Sequence, residues 1–215
     1  MAAAPRHRVV DDAGGLRAVL DPGVNLCVWV RAVDPALGRW ASEACAAVGW
    51  RVQATLDGQG PDASALVAGL APGAQRDTLQ ADLEVLARHF AGVLDAPALV
   101  ASFGLVDHDM CRKFHADLVG VRLLSTYDGP GTEWVPEPAL HRAGTSLPQR
   151  LTVLDPAAVQ QLEPGWVGLL KGDAWPGNRG HGVVHRSPPV AARGLRRVLL
   201  KLDPAPGPTG CASGC

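Results

Sequence analysis

Met110 to Trp134 reads MCRKFHADLVGVRLLSTYDGPGTEW, and this stretch decides how the rest of the 215-residue chain is read. At its centre, His115-Ala116-Asp117 sets an imidazole and a carboxylate two residues apart. In an extended segment side chains two apart share a face, so the two project together as candidate ligands of one metal site. The β-type run Val119 to Tyr127 follows, then a glycine-rich turn at Gly129 and Gly131. A third candidate ligand, His185, stands in HGVVHRSPPV, ahead of a basic strand that opens at Arg196.

Outward from that stretch the chain divides by character. After Pro97 come short β-type runs separated by Gly- and Pro-rich turns: Ala98 to Val106, Val119 to Tyr127, Leu151 to Leu154, Trp166 to Leu170, Gly182 to His185 and Arg196 to Leu202. That spacing predicts a sandwich or barrel and not a parallel sheet with crossover helices. Pro136 to Pro148 is a long polar loop of the kind that covers a site on a barrel rim. Before Pro97 the vocabulary is mixed. Val24 to Val33 reads as a strand. Asp34 and Pro35 open a helix that Gly49 ends, and Trp50 to Leu56 alternates like a second strand. Leu79, Leu83, Leu86, Phe90 and Val93 recur at helical spacing within Asp77 to Leu94. The expected organisation is a mainly β protein with an α/β N-terminal wrapping region at 1–97, a β core at 98–203 and a flexible tail at 204–215.

Composition narrows the function classes. The net charge of −1 gives no general attraction to nucleic acid or to an anionic membrane. No apolar run is long enough to span a bilayer, and Met1 to Val10 lacks the apolar centre of a signal peptide. Five scattered cysteines, Cys27, Cys45, Cys111, Cys211 and Cys215, fit a reducing, cytoplasmic setting without a disulfide framework. The glycine-rich turns lack the Lys-Ser/Thr of a phosphate loop, and Ser125, Ser146 and Ser187 lie in no G-x-S-x-G elbow.

Two resemblances attach to these residues. CRKFHADLVGVRLLSTYDGPGTEW, LKGDAWPGN and VVHRSPPV together resemble an uncharacterised bacterial family of unknown function, over roughly residues 80–203. The order of features is also similar to the prolyl-hydroxylase-like 2-oxoglutarate- and Fe(II)-dependent dioxygenases. Those carry H-x-D, a strand ending in Tyr, a Gly-rich turn with Thr, a Lys-Gly-Asp-like turn, a distal His, and a basic residue entering the last strand. Here these stand as His115 and Asp117; Arg122 to Tyr127; Gly129, Gly131 and Thr132; Lys171-Gly172-Asp173; His185; and Gly194-Leu195-Arg196. The resemblance implies a double-stranded β-helix, a jelly-roll or cupin-like barrel with a metal at its open mouth.

On that resemblance His115, Asp117 and His185 hold Fe(II), since two imidazoles and one carboxylate leave coordination positions open for a keto acid and dioxygen. Arg196 shares strand parity with Val198, Leu200 and Leu202, so it is expected on the inner face as the anchor of the 2-oxoglutarate distal carboxylate, with Arg197 pointing outward. Tyr127 is a second candidate for that co-substrate, and Arg122 a candidate substrate contact. The implied activity is a hydroxylase-type oxygenase acting on a small molecule or peptide. Cys111, four residues before His115, keeps open a Zn(II)-binding or metal-handling protein using Cys111, His115 and His185. A cupin-like metalloenzyme without a keto acid is a further alternative. His89, His108 and His181 are expected outside any site.

Overall fold

Residues 6–144 and 147–206 are described by a computed structural model of the protein. Ser146, Cys211 and Cys215 therefore lie outside the described residues, as do residues 207–215 of the tail expected at 204–215; Pro204, its first residue, instead ends the last strand. In chain order the strands are β1 (Arg6–Val10), β2 (Val24–Trp29), β3 (Arg51–Asp57), β4 (Ala98–Val106), β5 (Val121–Asp128) and β6 (Glu133–Trp134). They continue as β7 (Leu140–Ala143), β8 (Arg150–Val153), β9 (Gln160–Gln161), β10 (Val167–Lys171), β11 (His185–Arg186) and β12 (Arg197–Pro204). The helices are α1 (Pro35–Val48), α2 (Ser64–Val67) and α3 (Ala74–Leu94).

Seven strands form one sheet in the order β1-β2-β10-β5-β12-β4-β3, and a small sheet, β11-β6-β9, accompanies it. β10 is antiparallel to both β2 and β5, and β12 to both β5 and β4. Across the run β2-β10-β5-β12-β4 sheet neighbours are thus not sequence neighbours, as in a double-stranded β-helix. Three strands from the first 97 residues belong to this sheet: β1 and β2 extend it on one side, and β3 forms the other edge. Pro97 marks a change in sequence character within one continuous layer.

The central strands are buried on both faces, which is why they read as near-continuous apolar runs. Leu123, Leu169, Val198 and Leu200 point to the helices, where they meet Leu37, Ala41, Leu83, Leu86 and Phe90. Leu124, Leu170 and Leu199, one residue along, point the other way and pack with Trp134, Leu162 and Val183. Each such leucine removed from water stabilises the fold by about 1.5–3 kcal/mol before entropy is counted. Helix α1 starts where expected: the Asp34 carboxylate accepts from the Ala36 N–H at 2.8 Å and Gly49 ends the helix in the left-handed region at φ 61°. A side chain at Gly38 would strike the Tyr127 carbonyl, so glycine lets α1 lie directly on β5. Among the described residues no helix is long and apolar enough to cross a membrane.

Candidate metal centre

His115 and His185 are brought together by backbone hydrogen bonding. Each donates its N–H to the other's carbonyl at 3.0 Å, forming an antiparallel bridge that puts both rings on one side, centroids 4.7 Å apart. Asp117, two residues on, joins them: one ligand atom from each of the three lies within 4.8 Å of the others. The Asp117 loop is pinned through its carbonyl, which accepts from the Asp173 N–H at 2.8 Å.

Hydrogen bonding fixes the donor set. His115 Nδ1 sits 3.0 Å from the Lys113 carbonyl and His185 Nδ1 3.0 Å from the Val183 carbonyl. A carbonyl accepts only, so Nδ1 carries the hydrogen in both rings and Nε2 presents a lone pair. Those Nε2 atoms face the Asp117 carboxylate at 3.4 Å each, one per oxygen. With both rings neutral this is acceptor against acceptor, an arrangement that only a cation, proton or metal, makes favourable. The donor set therefore fits a divalent metal with imidazole and carboxylate ligands. Electrostatics agree. Burial opposes ionisation of Asp117, yet His115, His185 and Arg122 together hold its carboxyl well below the usual carboxylate range. The Asp117 contact raises the His115 pKa against the opposing effect of burial, whereas burial lowers that of His185.

A cavity of about 100 Å³ opens on these ligands and is also lined by Arg122, Arg197, Thr132 and Ser187, with Leu124 and Leu199 as apolar wall. Arg197 is the unusual member. It is 2% exposed, and Nη1 donates to Thr132 Oγ1 at 3.3 Å and Nη2 to Ser187 Oγ at 3.0 Å. Its Nε is buried with no partner, and no carboxylate pairs with the guanidinium among the described residues. Burial pushes its pKa down to about 10. A buried cation held only by hydroxyls favours an anionic ligand.

This placement corrects the expectation for the last strand. Arg196 is exposed and Arg197 is inside. The parity argument assumed that Val198, Leu200 and Leu202 face the barrel interior, but they pack on the helices. Arg197, Leu199 and Lys201 take the cavity face. Gly129, at φ 80°, assists: a side chain there would collide with the Arg196 carbonyl, so its absence lets β12 enter close beside the Gly-rich turn that carries Thr132.

Tyr127 is likewise outside the cavity. It lies on the helical face with Leu123, its hydroxyl donating to Asp82 and its ring edge-on to Phe103 at 5.9 Å. Arg122 does line the cavity, but as a bridge and not a free contact. Its Nη1 donates to Asp117 Oδ2 at 2.6 Å, while Nε and Nη2 grip Asp203 at 2.7 and 3.0 Å. Arg122 thereby holds one oxygen of Asp117 and fixes the direction of the other. Cys111 is exposed at the cavity margin and outside the convergent ligand set. His89, His108 and His181 are exposed and apart from the ligands, as expected. Ser187 received no role from sequence, although it stands two residues after His185 and so shares its side of an extended segment.

The strand order defines a double-stranded β-helix. The chain belongs to the family described as "Protein of unknown function (DUF1826)", matched over residues 10–203. No curated protein matches it in sequence. Among solved structures it is similar to the dioxygenase for auxin oxidation of rice, at 18% identity and TM-score 0.50, covering 94% of this chain and 83% of that one. It is also similar to a Shewanella oneidensis protein whose description proposes an oxygenase, at 13% identity and TM-score 0.52, covering 97% and 92%. At such identities the likeness establishes the fold.

Proposed function

We propose that this protein is a mononuclear non-haem Fe(II)- and 2-oxoglutarate-dependent oxygenase of hydroxylase type, acting on a small molecule or peptide. The observation that carries this reading is Arg197: a buried guanidinium with no anionic partner among the described residues, in the same cavity as an imidazole–carboxylate–imidazole set. His115 and His185 supply Nε2 lone pairs, and Asp117 supplies one oxygen while Arg122 retains the other. Arg197, Thr132 and Ser187 offer a cation and two hydroxyls to a distal carboxylate, which matches a dicarboxylic keto acid and not a monocarboxylate. Leu124 and Leu199 exclude water from one wall and so strengthen that contact. Fe(II) held by His115, Asp117 and His185 would supply dioxygen activation, with two electrons from oxidative decarboxylation of the keto acid to succinate and carbon dioxide and two from the substrate C–H that is hydroxylated. Zinc ligation through Cys111 draws no support from the geometry, because its thiol is outside the convergent set.

Metal content after anaerobic purification, with conversion of 2-oxoglutarate to succinate, tests the proposal. Stoichiometric iron and turnover are expected, both lost in Asp117→Ala. Tight zinc with no turnover in the iron-reconstituted protein would overturn it.

A further inference from the structure

On its cavity face the large sheet is covered over only part of its width. Leu26 of β2, Leu170 of β10 and Leu124 of β5 pack there with Trp134, Leu162 and Val183. Past β12 the same face is open. Lys201 pairs with Ser102 of β4, and Ser102 with Gln53 of β3, so the three share that face. Ser102 is half-buried, while Arg51, Gln53 and Thr55, alternate residues of β3, are exposed. A small cleft of about 20 Å³ runs onto this open end from the metal cavity. It shares Met110, Leu199 and Lys201 with that cavity and adds Ser102 and Arg51.

Lys201 is the cation that both spaces share. Its side chain is 32% exposed, and its Nζ lies 3.9 Å from Asp203 Oδ2, beyond hydrogen-bonding distance. Both oxygens of Asp203 are gripped by Arg122 instead, at 2.7 and 3.0 Å. Arg51 Nη1 stands 3.5 Å from His108 Nε2, and the exposed Asp107 engages the other nitrogen of that ring. Among the described residues no carboxylate lines the cleft, and Asp117 is the only one lining the metal cavity. With Asp203 counted too, two carboxylates face the three cations Arg122, Arg197 and Lys201, an excess of one positive charge. A divalent metal and a doubly charged keto acid cancel each other, so the excess persists when both are bound. Arg51 adds to it at the rim.

Lys201 stands toward the metal ligands and away from the keto-acid anchor. Asp203, two residues beyond it, holds the Arg122 that holds Asp117. Arg197 is four residues back on the same face, about 13 Å along the strand, so the two cations address different ends of the cavity. We propose that the substrate lies over this open end of the sheet and carries a carboxylate or phosphate group, bound by Lys201 with Arg51 at the rim. The word substrate rests on the oxygenase reading; the anion binding does not.

The test uses the full-length protein loaded with Mn(II) and 2-oxoglutarate, labelled at the methionine methyl groups and followed by NMR. Met110 lines both spaces and Met1 is the only other methionine, so one resonance reports on the site. Hexanoate and hexyl phosphate are the anionic probes, with hexanamide and hexylammonium as neutral and cationic controls. Saturable Met110 shifts are expected with the anions, at affinities about tenfold above hexanamide, and none with hexylammonium. Whichever anion binds more tightly assigns the group as carboxylate or phosphate. Lys201→Gln should bring both anions down to the level of hexanamide with 2-oxoglutarate affinity retained, and Lys201→Arg should keep the anion preference. Arg51→Gln should weaken the anions about threefold, as suits an exposed cation. Equal binding of anions and hexanamide to the wild type, no saturable shift, or a preference surviving in Lys201→Gln would overturn the proposal. So would loss of 2-oxoglutarate affinity in Lys201→Gln, which would make Lys201 the keto-acid anchor. The same titration in metal-free Arg197→Met needs neither metal nor keto acid and keeps the two readings apart. Anion preference there, with no Mn(II) binding to the wild type, counts against the oxygenase reading only. Binding of Mn(II) and 2-oxoglutarate without anion preference counts against this site only.

Discussion

The sheet buries a guanidinium on each face, and the two are held very differently. On the helical face Arg31 grips Asp82 of α3 at 2.6 and 2.9 Å, donates to the Gly165 carbonyl at 2.9 Å, and shares Asp82 with the Tyr127 hydroxyl. On the cavity face Arg197 reaches two hydroxyls and, among the described residues, no carboxylate. Burial lowers the pKa of both, but Asp82 more than offsets it for Arg31, whereas Arg197 falls to about 10. A buried charge with its partner in the chain is architecture. One with no carboxylate partner among the described residues favours an anionic ligand. Tyr127 belongs to the first arrangement, which is why it has no part in the second.

Breaking the comparison on the architectural side should give the largest change in stability. Arg31→Met leaves the partly buried Asp82 without its cation and with the Tyr127 hydroxyl alone, so unfolding in urea should show a loss of about 3 kcal/mol, with keto-acid affinity retained in the folded fraction. Tyr127→Phe removes one hydrogen bond to a carboxylate and should cost about 1.5–3 kcal/mol in the same assay, again without affecting the ligand.

The cavity side responds to protons instead. Because Asp117 raises the His115 pKa above its ordinary 6.5, a proton occupies the lone pair that a metal needs. Mn(II) affinity followed by calorimetry should therefore fall as pH drops through that raised value, by up to about tenfold per unit. Affinity that is flat in pH would contradict ligation by His115. Smaller still is the stability change in Arg197→Met, where unfolding free energy should stay within about 1 kcal/mol of wild type or rise, since a buried charge without a carboxylate partner is removed. Arg196→Ala, on exposed surface, should move neither stability nor ligand affinity measurably.

What was legible in sequence follows the strength of the local signal. Helix α1 carries its own start and stop in Asp34, Pro35 and Gly49, and strand β4 reads as Ala98–Val106 in both sequence and structure. The His115, Asp117 and His185 convergence follows from spacing and order. Strands β6, β9 and β11 span two residues each, too short for any periodicity to show. β12 defeated the parity argument because it is apolar on both sides: Val198 and Leu200 face the helices while Leu199 faces the cavity. When both faces are buried, the more apolar one identifies the helical layer and the isolated arginine marks the site. Pro136 to Pro148 was expected to be a long loop covering a site; it holds instead the 3-10 turn Glu137–Ala139 and strand β7, which pairs with β8, and Arg142 and Leu151 of that pair line a cavity beside His115.

The central claim is that Arg197 awaits a dicarboxylate beside a metal. It is tested most directly by titrating 2-oxoglutarate into Mn(II)-loaded wild type and Arg197→Met. Wild type should bind saturably, and the variant about 30- to several-thousand-fold more weakly, the equivalent of about 2–5 kcal/mol for a buried charge pair, with Mn(II) stoichiometry unchanged. Equal affinity in the two proteins, or no detectable affinity in wild type, would contradict the account.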